Sequence, residues 1–363
     1  MKLHNAVNKK ELKQKLVQAG EERHVVSFYK YHRLPNVQLL RDHLYLLLEP
    51  IGVLGRIYVA NEGINAQISV PVKNWDLFRE KLEEITFLKG NRLNMAVEED
   101  PASFTVLKVK VRKKIVADGL NDADFNPADT GTHLNAEKFN VLISSPDTVL
   151  VDMRNHYESE VGHFEGALLP DVDTFRDSLP IVEDMLHGKN DKNIVMYCTG
   201  GIRCEKASAW FRHRGFQNVF QLEGGIIKYA NDVRSMGLEN KFRGKNFVFD
   251  DRLGERISDE IISRCHQCSK PCDDHTNCRN EACHLLFIQC EDCRIEMEGC
   301  CSDECKSIAA LPEEEQKILR KKAPVHRNVF RKGRAGEMIA MRSLQNTHNI
   351  RASSEETPDK NNI

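Results

Sequence analysis

The sequence predicts a mixed fold of α/β and α+β units ending in a cysteine-rich region. Three observations predict it. Residues 24–114 carry strand and helix patterns in the order βαββαβ. Residues 135–238 alternate buried apolar runs with helical stretches. Ten of the twelve cysteines crowd into residues 265–305.

The elements follow in order. Residues 1–20 have the composition of a polar helix or a frayed end. His24–Tyr31, with Val-Val-Ser-Phe-Tyr, is a strand. Asn36–Leu48 places Leu39, Leu40, Leu44, Leu47 and Leu48 at helical spacing. Val53–Ala60 and Ala66–Val70 are strands joined by Asn61-Glu62-Gly63-Ile64-Asn65. Asn74–Ile85 is helical, with Trp75, Phe78, Leu82 and Ile85 three or four residues apart. Leu93–Val97 and Phe104–Val111 complete the unit, the second by strict alternation. The order is that of a ferredoxin-like domain, expected over 1–117.

An Asp-rich, turn-rich stretch over 118–132 is expected to be a linker. A domain over 135–240 should hold parallel strands near 149–153, 193–198 and 219–222, with helices near 172–187, 204–215 and 226–236. A cysteine-rich domain is expected over 241–310, then a basic segment and polar tail over 311–363. From about Asn346 the tail has the composition of a disordered end.

At 40% apolar and 29% charged residues, with a net charge of -2, the chain has the composition of a soluble protein. No run approaches the eighteen or so apolar residues of a membrane span, and the N-terminus lacks a signal-peptide core. A cytoplasmic protein without a membrane partner is expected. Its overall charge does not attract nucleic acid, so any such contact must use local patches.

The chemistry concentrates at Met196-Tyr197-Cys198-Thr199-Gly200-Gly201-Ile202-Arg203-Cys204. An apolar strand leads in and a helical stretch leads out, so Cys198 ends a strand and opens a glycine loop. Backbone N–H groups converge in such a nest and stabilise an anion, here a thiolate. Cys198 is the candidate nucleophile. Gly200 and Gly201 would let substrate approach the backbone. Arg203 either braces the loop or contacts substrate. Lys206, just beyond, would add positive charge to the rim. Cys204 either resolves an oxidised Cys198 or points into the sheet, the burial reading being preferred. Four residues separate Cys198 from Arg203. Cysteine phosphatases use one more, so this loop should hold a group smaller than phosphate, such as a persulfide sulfur. Asp152 with Arg154, Glu158 and His163 are expected to be scaffold.

This loop resembles the active loop of rhodanese domains. The resemblance extends to Val149–Arg154, to Glu158–Ala167 and to Val219-Phe220-Gln221-Leu222-Glu223-Gly224-Gly225-Ile226. It implies a rhodanese-like fold for the parallel-sheet domain.

In a reducing compartment the late cysteines point to metal. Cys265-x-x-Cys268 and Cys290-x-x-Cys293 have nearly zinc-ribbon spacing and are the candidate zinc ligands. The other six cysteines, with His275 and His284, could form a second site. Disulfides, free thiols or an iron–sulfur cluster are the alternatives.

Two basic stretches stand out. Lys108, Lys110, Arg112, Lys113 and Lys114 decorate the last strand of the first domain, where such lysines usually protect an edge. The run from Lys317 to Arg334 includes Arg327 and Arg331 and is the candidate nucleic-acid contact.

Taken together, Asn61-Glu62-Gly63-Ile64-Asn65-Ala66-Gln67, the loop 198–204, Gly244-Lys245-Asn246-Phe247-Val248-Phe249-Asp250 and the late cysteine array resemble the bacterial tRNA uridine hydroxylase family of the rhodanese superfamily. The resemblance covers nearly the whole chain. It implies oxygen-dependent formation of 5-hydroxyuridine at the wobble position, with dioxygen as co-substrate. The anticodon loop of tRNA is the implied partner, and Cys198 the implied persulfide-bearing cysteine. No flavin or nicotinamide fingerprint is present. Without the resemblance the loop indicates a rhodanese-type sulfurtransferase. A non-enzymatic tRNA-binding zinc scaffold is a third reading, against which the intact Cys198 and Arg203 argue.

Overall fold

In this computed structural model the described residues are 9–120 and 126–322. Arg327, Arg331 and the tail beyond Asn346 lie outside them. The chain divides into two compact units, one to Glu260 and one from Ile261.

The first unit opens with α1 (Lys9–Ala19), β1 (Arg23–Tyr31), α2 (Val37–Leu48), β2 (Leu54–Ala60), β3 (Gly63–Pro71), α3 (Trp75–Glu83), β4 (Asn94–Met95) and β5 (Leu107–Val111). The sheet order is β4-β1-β3-β2-β5, antiparallel except for the parallel β2–β5 edge. This is the expected ferredoxin-like unit. Asn36 starts α2 as an N-cap, its side chain accepting from Leu39 N at 3.0 Å. One sheet face is covered: Val26, Phe28, Ile57 and Ile68 pack with Leu44, Leu48, Phe78 and Leu82 of the helices. Alternation sends Ser27, Tyr29, Arg56, Tyr58 and Gln67 to the opposite face.

The chain continues through β6 (Thr132–Leu134), α4 (Ala136–Ile143), β7 (Thr148–Asp152), α5 (His156–Ser159), β8 (Gly162–Phe164), α6 (Phe175–Met185), β9 (Asn193–Tyr197), α7 (Ile202–His213), β10 (Val219–Leu222) and α8 (Gly225–Met236). The expected parallel sheet has the order β6-β10-β9-β7. Its outer strand β6 begins at the end of the stretch expected to be linker. Three residues are too short for a periodic signal, and β6 exists because β10 offers it a free edge. Apolar clusters cover both faces, one beneath α6 and α7 and one beneath α4 and α8.

β11 (Phe242–Asn246) pairs with β8 and with β12 (Glu255–Arg256). These strands tie the segment to the first compact unit, and the second compact unit begins at Ile261. That second unit holds β13 (His275–Asn277) paired with β14 (Leu286–Ile288), then α9 (Glu291–Glu296), α10 (Asp303–Ala309) and α11 (Glu313–Lys322).

Candidate active site

Cys198 follows the last residue of central strand β9, where parallel sheets present ligands. Gly201 lies at φ +98° as the N-cap of α7, and its N–H donates to Cys198 Sγ at 3.2 Å. Behind the loop the β10–α8 turn receives its carbonyls: Ile226 N donates to Cys198 O at 3.0 Å and Ile227 N to Thr199 O at 3.2 Å. A Cβ on Gly225 would stand 2.4 Å from Cys198 O, so only glycine lets the turn approach this closely. With its carbonyls drawn away, the loop turns N–H groups toward the sulfur.

Cys198 is fully buried. Burial pushes its thiol up, but the Cys204 thiol, the Arg203 charge and the N–H groups of Cys204 and Arg203 outweigh it and bring the pKa down to about 6. The neighbouring Cys204 is driven the other way, by burial first and then by the Cys198 thiolate. The pair is therefore one thiolate and one thiol donor. Cys204 is buried, as preferred, and it also reaches Cys198.

Arg203 braces the loop. Its Nη1 donates to Glu158 Oε1 at 2.7 Å and its Nη2 to Glu158 Oε2 at 2.8 Å and Thr199 Oγ1 at 3.3 Å. Glu158 is itself fixed by the capping box of α5, accepting from Asn155 N at 3.1 Å. Asp152 and Arg154 form the expected buried ion pair at 2.6 Å, and His163 makes a structural hydrogen bond to Ser159 O at 2.9 Å.

Lys206 corrects an expectation. Its side chain is 1% exposed, and its ammonium lies 2.7 Å from Glu62 and 3.2 Å from Asp118. Its charge is spent inside the unit, joining α7 to the ferredoxin-like domain, rather than offered on an open rim. Tyr29 adds a second tie, donating to Glu205 Oε1 at 2.8 Å.

These ties lay the open face of the ferredoxin-like sheet over the loop and enclose a cavity of about 390 Å³. Cys198 and Gly200 form one wall; Gly201 does not line it. Tyr29, Arg56, Tyr58 and Asn94 come from the sheet, and Phe104 and Phe249 complete an aromatic lining. The Arg56 guanidinium lies 5.9 Å from the Phe104 ring centroid, and Arg112 lies 5.1 Å from that of Tyr58. Sequence reading missed this wall. The signal was the second face of the alternation, which carries Tyr29, Tyr58 and Gln67 beside its charges.

In the second unit all ten cysteines are unpaired thiols. Cys265, Cys268, Cys290 and Cys293 bring their sulfurs within 4.8 Å of one another, as the spacing predicted. Cys268 and Cys290 stand 3.5 Å apart, far beyond a disulfide bond of about 2.05 Å. Sulfurs around a tetrahedral zinc at about 2.3 Å stand about 3.8 Å apart, so the quartet fits that ion. A second quartet joins Cys278, Cys283, Cys301 and Cys305. His275 and His284, expected to contribute to it, do not.

Known families divide the chain similarly. An acylphosphatase-like domain model of the UPF0176 group matches residues 23–115, a rhodanese-like domain model 135–232 and a rhodanese C-terminal model 243–306. A solved rhodanese-like domain from Anabaena shares 20% identity, covering 31% of this chain and 78% of that one with a TM-score of 0.26. Proteins named tRNA uridine(34) hydroxylase match almost end to end. The Pectobacterium carotovorum protein is 55% identical over 92% of this chain and 94% of its own length. That of Leptospira interrogans is 54% identical over 88% of this chain and 87% of its own. The chain belongs to the tRNA uridine(34) hydroxylase family.

Proposed function

We propose that this chain hydroxylates uridine 34, the wobble base of tRNA, to 5-hydroxyuridine, with Cys198 as the reactive group and dioxygen as co-substrate. The observation that carries the reading is the cavity. It joins a sulfur with a pKa of about 6 to an aromatic wall, in a volume within the usual range of about 300–1,000 Å³ for small-molecule sites. Bases in an anticodon loop can leave the stack and lie against aromatic and guanidinium planes, which Tyr58, Phe104, Phe249 and Arg56 supply. Gly200 lets the base approach the loop. Arg203 is a positioning residue that holds the loop and keeps Cys198 ionised.

The reaction balances when one oxygen atom replaces the C5 hydrogen as hydroxyl and the other leaves as water. Two molecules of an external thiol reductant going to its disulfide supply the two electrons and two protons. In this reading Cys198 stays a thiolate between turnovers, and Cys204 serves it as a hydrogen-bond donor.

The tRNA backbone would follow the positive edge of the sheet. Strand register sets Lys108 beside Arg56 and Lys110 beside Tyr58, so the exposed lysines of β5 share the face that lines the cavity. Arg327 and Arg331 would supply further contacts to tRNA phosphates. The four Cys-x-x-Cys thiolates Cys265, Cys268, Cys290 and Cys293 would hold a structural zinc.

The test is isotopic. Purified protein, unmodified tRNA, a thiol reductant and labelled oxygen gas should yield a nucleoside one labelled oxygen heavier, and none without oxygen. Sulfur entering tRNA under anaerobic conditions would instead establish sulfur transfer.

A further inference from the structure

Among its described residues the second unit buries few apolar side chains. Its buried cluster is Leu285, Phe287 and Ala309 together with five cysteines. Small domains with so little to bury need a covalent or metal staple, and there are no disulfides here. Four of those five cysteines are Cys278, Cys283, Cys301 and Cys305, all buried, their sulfurs within 4.8 Å of one another. Cys283–Cys301 and Cys301–Cys305 are each 3.7 Å. That is the tetrahedral edge of about 3.8 Å for zinc bound by four sulfurs. Asn280, also buried, donates to Cys305 Sγ at 3.5 Å, a supporting contact of the sort that orients metal ligands. The fifth cysteine, Cys300, lies in the cluster outside both quartets.

We propose that Cys278, Cys283, Cys301 and Cys305 form a second, all-sulfur zinc site that is the folding centre of this unit. Binding forms four Zn–S bonds, breaks four S–H bonds and releases four protons, with no change of oxidation state.

The order of the ligands along the chain gives the site its architecture. The pairs run 265/268, 278/283, 290/293 and 301/305; the first and third make one quartet, the second and fourth the other. The two sites are interleaved, so each closes a chain loop that contains a pair belonging to the other. Each quartet takes one pair from a turn and one from the start of a short helix. Cys278 and Cys283 flank the turn between β13 and β14, with Cys278 N donating to Leu285 O at 2.8 Å and Cys283 N to Asn280 O at 2.9 Å. Cys301 and Cys305 flank Ser302, the N-cap of α10. The sites differ in exposure. Cys268 of the first quartet is exposed, whereas every ligand of the second is buried. The second ion should therefore leave last.

The experiment is metal counting on the full-length protein purified under reducing conditions without chelator. Wild-type should carry two zinc per chain, and X-ray absorption should show an all-sulfur shell at about 2.3 Å. Exchange into cobalt should give two equivalents with thiolate charge-transfer bands. A mild chelator should remove one equivalent quickly and the second much more slowly. Cys268→Ser should leave the slow equivalent in place, and Cys272→Ala, outside both quartets, should keep two. Because Cys301→Ser removes a ligand on which folding of the unit depends, thiol labelling of the native wild-type provides the independent measurement: Cys278, Cys283, Cys301 and Cys305 should be protected until the slow zinc leaves. A single zinc per chain, iron in place of zinc, or alkylation of these four thiols with both ions retained would overturn the proposal.

Discussion

The loop after β9 and the cysteine-rich unit use the same side chain for opposite purposes. At Cys198 one sulfur faces backbone N–H groups, a thiol and an arginine, which favour its charge but give it no bond. In the second unit four sulfurs face one another within 4.8 Å, and their lone pairs converge on a point that suits a cation. Burial does not separate the two groups, since Cys198 and Cys301 are both buried. What the sulfur faces decides whether its surroundings favour a lone thiolate or a shared cation.

The largest test of this contrast is Cys198→Ser. A serine hydroxyl neither ionises at neutral pH nor carries sulfur. Activity should fall at least about 10³-fold, while zinc content stays at the wild-type value. A variant that restores 5-hydroxyuridine in cells lacking the protein would remove Cys198 from the chemistry.

Metal removal is the converse. Structural zinc contributes about 10–16 kcal/mol in small zinc domains, so strong chelation should open residues 261–322 to protease and expose their thiols. The alkylation rate of Cys198 should stay unchanged within about twofold. Loss of Cys198 reactivity on chelation would show that the two cysteine populations are not independent.

The next effect is a pH dependence. With the usual thiol value of 9.0 brought down to about 6, the alkylation rate of Cys198 should fall about tenfold per pH unit below 6 and level off above it. The linkage has a definite sign. Between pH 6 and 9 the unfolded thiol holds a proton that the folded one has lost, so this group's contribution to stability rises with pH and vanishes as pH falls through 6. Glu158→Gln, which loosens Arg203, should move the midpoint upward. A plateau reached only near the ordinary thiol value would mean that the loop does not hold a thiolate.

Changing Cys204 should have the smallest effect. Cys204→Ser keeps a donor and should cost only a few-fold in rate, while Cys204→Ala should also shift the alkylation midpoint upward. Equal losses for both, matching Cys198→Ser, would make Cys204 a second reacting sulfur.

Much of this was legible beforehand because it is local. The alternation of Leu107, Val109 and Val111 with Lys108 and Lys110 gives a strand with two unlike faces. Glycines between an apolar strand and a helix give a nest. The harder features join residues far apart in sequence. Lys206 has the charge of a substrate contact, and only its approach to Glu62 and Asp118 shows a buried bridge. Removing that ammonium would break its buried pair with Glu62 and leave Asp118 to Lys114, 2.7 Å away; breaking comparable buried pairs costs about 3–5 kcal/mol.

By itself the sequence determined the unit types, the candidate nucleophile and the grouping of the first cysteine quartet, since period, glycine placement and Cys-x-x-Cys spacing are short-range properties. Only the tertiary structure decided that the ferredoxin-like sheet turns its open face to Cys198, and that Cys278 and Cys283 meet Cys301 and Cys305 rather than His275 and His284. Composition lists the available ligands and wall residues. Which of them come together depends on chain closure over tens of residues, and that is set by packing.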